Sequence, residues 1–154
     1  MTTRVPASDE PKGIIGRAYE DGRPVIFKFV SELPSETIRT RLPWLTVISW
    51  EYDGSDNEGM PESEEVDAMK RLEEAIDSSE KETALRHAFS RTGNELKELA
   101  YYIEDRDQFM AVFNDTLAAH PVYPNEIEFY NDPDWLELRR LLEDFSQANA
   151  AAGS

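Results

Sequence analysis

Cysteine is absent from the 154 residues, which excludes disulfides, thiolate nucleophiles and every Cys-ligated zinc or iron-sulfur site. Histidine occurs only at positions 87 and 120, and neither lies in a ligand-spaced motif such as His-Glu-x-x-His, so neither a metal nor a cofactor is expected. His120 reads as a dipole-compatible residue at a helix C-terminus, and His87 as a structural or surface residue of a strand. Basic residues are scarce: 16 Lys and Arg stand against 32 Asp and Glu, a formal charge of -16. A field of that sign repels phosphate backbones and anionic lipid surfaces. The densest basic group, Lys28 with Arg39 and Arg41, is sparse and has acidic neighbours. Nucleic acid and membrane are therefore not expected as partners, whereas a protein with a basic surface is. No stretch approaches the roughly 18 consecutive apolar residues of a membrane-spanning helix, and the first eleven residues hold no apolar signal core. With the lack of cysteine, this makes the cytoplasm the expected location.

Hydrophobic periodicity then orders the chain. Residues 1–22 hold Pro6, Pro11, Gly13, Gly16 and Gly22 among polar residues and are expected as an irregular lead, within which 14–19 could form a short strand. A single α+β domain is expected over 23–146. Its first strand carries Val25, Phe27 and Phe29 in alternation, and Pro43 to Tyr52 is the strongest strand pattern, apolar on both faces. Val66, Met69, Leu72 and Ile76 form a helical stripe from Ser63 to Ile76. A β-hairpin is preferred over residues 83–103, although Ala, Leu, Glu and Lys would also suit helices there. Asp105 opens a second helix with Gln108 at capping-box spacing, ahead of Phe109, Val112, Phe113 and Leu117. Ile127 and Phe129 alternate with Glu126 and Glu128 in a last strand. Asp132-Pro133 then starts a helix bearing Trp135, Leu138, Leu141, Leu142 and Phe145. Residues 147–154, small and without charged side chains, are expected as a disordered or frayed tail. The order β-α-β-β-α-β suits a ferredoxin-like plait, two helices on one sheet face, with an additional N-terminal strand and a C-terminal helix.

No chemical motif stands out from that frame. Asp53 to Gly59 offers oxygen ligands, but counting from Asp53 places Glu58 where an EF-hand needs its sixth-position glycine. There is no Gly-x-Ser-x-Gly and no phosphate-cradling glycine loop. Glu126 and Glu128 share a strand face, as solvated carboxylates commonly do. The most distinctive polar-aromatic set is Trp50, Tyr52, Arg86, Arg91, Tyr101 and Tyr102. If these shared one sheet face, their guanidinium and phenol groups could bind a small anion or an acidic peptide, although packing also explains them.

Trp50-Glu-Tyr52, Gly59-Met60-Pro61, Arg91-Thr-Gly93, Tyr101-Tyr102, Tyr123-Pro124-Asn-Glu-Ile127 and Asp132-Pro133-Asp134-Trp135 together resemble the bacterial domain-of-unknown-function family numbered 695, over about residues 24–145. The resemblance implies a small α/β plait with no established catalytic role and no active site to carry over. In element order alone the chain is also similar to a protein inhibitor of ribonuclease E, which binds a protein rather than catalysing; folds host unrelated functions. The expectation is a non-enzymatic binding or regulatory domain that engages a protein partner through an acidic surface. The alternative is a small-anion binder or enzyme using an Arg/Tyr-lined sheet face.

Overall fold

The computed structural model describes residues 13–153, with side chains described as far as Ser146. Six strands form one sheet: β1 (Gly13–Glu20), β2 (Arg23–Val30), β3 (Trp44–Glu51), β4 (Leu85–Gly93), β5 (Leu96–Ile103) and β6 (Glu126–Asn131). Among the described residues four α-helices accompany them, α1 (Glu36–Arg41), α2 (Ser63–Ser78), α3 (Arg106–Thr116) and α4 (Leu136–Gly153), with a short 3-10 turn at Ser79–Lys81. The strand order is β1-β2-β4-β5-β3-β6, and every neighbouring pair is antiparallel. The fold is α+β.

A plait with one added strand and one added helix describes too few elements. The irregular lead expected through residue 22 is instead, from Gly13 onward, a full strand in register with β2. Its turn is Asp21-Gly22, with φ of 54° and 80° at the two positions. A two-residue loop with both φ positive matches the twist of the flanking strands, and Asp-Gly is among the few pairs that adopt it cheaply. Residues 1–12 of the lead lie outside the described residues. The short helix α1 was also unanticipated. Ser35 caps it by accepting from the Ile38 amide at 3.4 Å, and Arg39 and Arg41 occupy its last turn. The backbone of the tail, expected to fray from residue 147, continues α4 to Gly153.

Helices α2 and α3 share one face of the sheet, and α4 packs on the other. Ile48, Trp50, Leu99, Tyr101 and Ile103 meet Met69, Leu72 and Ile76 of α2 and Phe109 and Phe113 of α3. The opposite residues, Phe29, Leu45, Ala100 and Tyr102, meet Trp135 and Leu138, with Phe145 of α4 alongside. The strict alternation of strand side chains produces this division, because each strand carries apolar residues at both parities. Asp105 caps α3 through the amides of Asp107 and Gln108. The Gln108 side chain, however, accepts from Thr83 Oγ1 instead of closing a capping box.

The join to α4 departs from the Asp-Pro expectation. The helix begins at Leu136, and Asp132 reaches past Pro133 to accept from the Leu136 amide at 2.9 Å and the Glu137 amide at 3.2 Å. Trp135 between them has φ of 56°, a left-handed conformation that costs a bulky residue about 1–3 kcal/mol. Its indole is fully buried, lies 3.9 Å from the Tyr102 ring at an interplanar angle of 7°, and donates to the Leu42 carbonyl at 2.9 Å. From there α4 crosses to β1, where Phe145 approaches so closely that a Cβ at Gly16 would collide with its ring. Trp135→Ala is expected to lower unfolding free energy by roughly 3–5 kcal/mol, and Tyr102→Phe by about 1–3 kcal/mol. Urea unfolding of each variant and of the pair checks both values, and the pair should fall short of additivity because the rings share one contact.

Candidate functional site

The structure divides the six sequence-selected residues between the two sheet faces. Trp50, Tyr52 and Tyr101 belong to the α2/α3 face, whereas Tyr102 packs on the α4 side. Arg86 is opposite Tyr102 in the β4–β5 register and Arg91 is opposite Glu98, which places both arginines on the α4 side too. The polar atoms of the four aromatic residues and Arg91 Nη2 are engaged, whereas Arg91 Nε is buried without a partner. Trp50 Nε1 donates to Glu65 at 2.9 Å, and the Tyr52 hydroxyl to the Gly59 carbonyl at 2.6 Å. The Tyr101 hydroxyl donates to Asp77 at 2.8 Å and the Tyr102 hydroxyl to Asp132 at 2.6 Å. Arg91 Nη2 serves the Gly93 carbonyl at 3.1 Å and Glu20 at 3.3 Å. These groups do not form one anion-binding surface.

The acidic loop after β3 is a closed turn. Gly59 N donates to the Gly54 carbonyl at 2.8 Å, Glu95 N to the Gly59 carbonyl at 2.8 Å, and Asp53 accepts from both the amide and the hydroxyl of Ser55. Those two bonds hold the Asp53 carboxyl below its usual range. His120 lies beyond the α3 cap at Leu117, with Nδ1 2.9 Å from the Tyr123 hydroxyl.

Two other places bring polar side chains together. The first is the corner of the α4 face that the crossing of α4 leaves open. Cross-strand register aligns Arg91, Glu98, Ser49 and Glu126 in one row and Ala100, Val47 and Glu128 in the next. A cleft of about 480 Å³ adjoins this corner, floored by Leu45 and Val47 and bounded by Glu98, Tyr130, Leu136 and Glu137. Desolvation, with Glu20 and Glu128 adding to it and Arg91 opposing it, raises the Glu98 pKa. The Tyr130 hydroxyl is also raised, by desolvation and then by Glu128, Glu98 and Glu137. The alternation of Glu126 and Glu128 was visible in the sequence, but the alignment of Glu98 with them depends on β3 lying between β5 and β6.

The second place is on the α2/α3 face, where a groove of about 450 Å³ runs between α2 and the sheet past Met69, Glu73, Asp77 and Lys97. Burial lowers the Lys97 pKa, and its Nζ donates to Thr92 Oγ1 at 2.8 Å. At one end His87 Nδ1 stands 3.6 Å from Glu73 Oε2 and 3.5 Å from Asp77 Oδ1. Sequence reasoning missed this group because α2 carries many acids. Their i,i+4 spacing alone did not single out Glu73 and Asp77, and only the tertiary fold brings His87 to them.

The model of the family of unknown function DUF695 matches residues 17–140. The chain belongs to that family. The DUF695 match begins in β1 and ends in the first turns of α4, so it includes both polar groups and the Asp132–Trp135 join. A search of curated proteins finds no match. Among the described residues no helix is long and apolar enough to cross a membrane.

The buried phenols make stability depend on alkaline pH. Burial, and then Asp77, puts the Tyr101 pKa well above 10.0; burial and the bond to Asp132 do the same for Tyr102. In the native state both stay protonated where an unfolded chain would ionise. Their stabilisation is complete below the unfolded value near 10 and is lost as pH rises from there toward the folded values. Unfolding free energy followed by urea titration should fall above about pH 10, and Tyr102→Phe should make that fall shallower.

Proposed function

We propose that this DUF695 member is a non-enzymatic binding domain, built as a ferredoxin-like plait over β3-α2-β4-β5-α3-β6 with the β1–β2 hairpin and α4 added. It engages a basic segment of a protein partner at the open acidic corner of the α4 face. The observation that carries this reading is the convergence of Glu98, Glu126 and Glu128 beside an apolar-floored cleft, on a chain of charge -16. β6 is the sheet's terminal strand, so its outer backbone groups are available for an added strand. Main-chain bonds would supply affinity, and the carboxylates would select Lys and Arg side chains. The stems of those side chains fit the Leu45 and Val47 floor while their charged heads meet the rim. The absence of cysteine suits a cytoplasmic setting. An anion site built from the Arg/Tyr set has less support, because Tyr52 and Tyr101 lie on the face opposite Arg86, Arg91 and Tyr102, and the Tyr101 and Tyr102 hydroxyls bond carboxylates.

A fluorescent Lys/Arg-rich peptide titrated with the protein tests the proposal. Binding should weaken as salt rises, since exposed charges more than about 10 Å apart are largely screened at 0.1 M. The triple variant Glu98→Gln, Glu126→Gln, Glu128→Gln should lose about 0.6–3 kcal/mol of binding at low salt, at roughly 0.2–1 kcal/mol per pair. The variant Glu62→Gln, Glu64→Gln, Asp67→Asn, with the same change in net charge but on α2, should lose little. Equal losses in the two would mean only diffuse attraction and would defeat the assignment of this corner.

A further inference from the structure

The group at the end of the α2 groove has the composition and spacing of a cation site. We propose that Glu73, Asp77 and His87 bind one divalent transition-metal ion of the zinc class. Their ligating atoms, one from each residue, all lie within 4.8 Å of one another. The separations of 3.6 and 3.5 Å from His87 Nδ1 to the two carboxylates are longer than a hydrogen bond of about 2.7–3.2 Å. They match an edge of a tetrahedron whose centre lies about 2.0–2.2 Å from N and O ligands, an edge of about 3.3–3.6 Å.

The surroundings direct these ligands. Glu73 and Asp77 are four residues apart on α2 and so share a face. The β4–β5 register shifts between His87 and Phe89, and a bulge of that kind re-aims the adjacent side chain. Tyr101 lies under the imidazole, with ring centroids 4.4 Å apart at 21°, and its hydroxyl bonds Asp77 Oδ1 at 2.8 Å. One phenol thereby positions two ligands, as outer groups commonly do at metal sites. His87 Nε2 is buried without a partner, so the ring's polar compensation comes only at Nδ1, on the side of the carboxylates. Lys97 lines the same groove and its charge acts on Glu73, but its Nζ donates to Thr92 Oγ1. An ion can enter from solvent, since the side chains of His87, Glu73 and Asp77 are 24%, 30% and 47% exposed. One imidazole with two carboxylates favours zinc, cobalt or manganese over calcium and magnesium, which prefer all-oxygen shells.

Isothermal titration of the intact protein with Zn²⁺, in a non-chelating buffer near neutral pH, tests the site. One equivalent should bind saturably. Glu73→Gln and His87→Ala should each weaken it at least tenfold, Tyr101→Phe should weaken it less, and Asp67→Asn on the outer face of α2 should leave it unchanged. Co²⁺ should give a visible absorption band that His87→Ala abolishes. Circular dichroism identifies any variant that fails to fold, and Glu73→Gln, which alters a partly exposed side chain, then carries the test. Lack of saturable binding would overturn the proposal. So would binding that Glu73→Gln leaves intact, or displacement of Zn²⁺ by equimolar Mg²⁺, since both describe unselective attraction to an acidic protein.

Discussion

The Asp132 carboxylate ties the last helix to the sheet. It accepts from the Tyr102 hydroxyl at the centre of the sheet and from the first two amides of α4, while the Asp132 amide itself donates to the Pro43 carbonyl at 2.8 Å. A nearly buried carboxylate is costly unless its lone pairs are filled, and here three donors fill them. That arrangement also explains why Trp135 tolerates an unfavourable backbone conformation. The left-handed residue turns the chain so that the indole enters the core and stacks on the same tyrosine that bonds Asp132. Strain, stacking and capping therefore meet at Asp132, Trp135 and Tyr102.

The position of α4 follows from this join and from the close approach of Phe145 to Gly16. Because the helix starts over Tyr102 and its Phe145 reaches β1 and β2, it shields Phe27, Phe29 and Ala100 but not the far corner at Glu98, Ser49 and Glu126. On the other side α2 and α3 bury Ile48, Leu99 and Tyr101 and leave a groove at the α2 margin. The two polar groups are thus places where a sheet wider than its helices is left uncovered. Neither is a loop site; both are supported by regular elements, which holds their side chains more firmly than loops do.

Much of the architecture was legible in the chain. The alternation in β2 and β3, the stripes of α2 and α3 and the Asp105 cap follow local rules, because strand and helix periodicities are set by backbone geometry. The ambiguous stretch from 83 to 103 proved to be a hairpin, its Asn94-Glu95 turn having both φ positive, at 50° and 66°. The β1–β2 hairpin was missed although Asp21-Gly22 signals it, because only Ile14, Ile15 and Tyr19 anchor the first strand apart from small residues. Ile15 and Tyr19 are in fact exposed, so burial left little trace in the pattern.

By itself, then, the sequence determined most of the strands and helices, that no thiol chemistry is available, and that the protein carries a large negative charge. Those properties depend on neighbours a few residues apart or on composition alone. Which residues share a surface was decided only by the tertiary structure. Trp50, Tyr101 and Tyr102 read as one aromatic group, yet adjacent strand residues point to opposite faces, and helices cover both. Glu98 joins Glu126 across β3, and His87 reaches Glu73 and Asp77 from another element. Such pairings depend on strand order and helix placement, which minimise exposed apolar area over the whole chain and so leave no local signature.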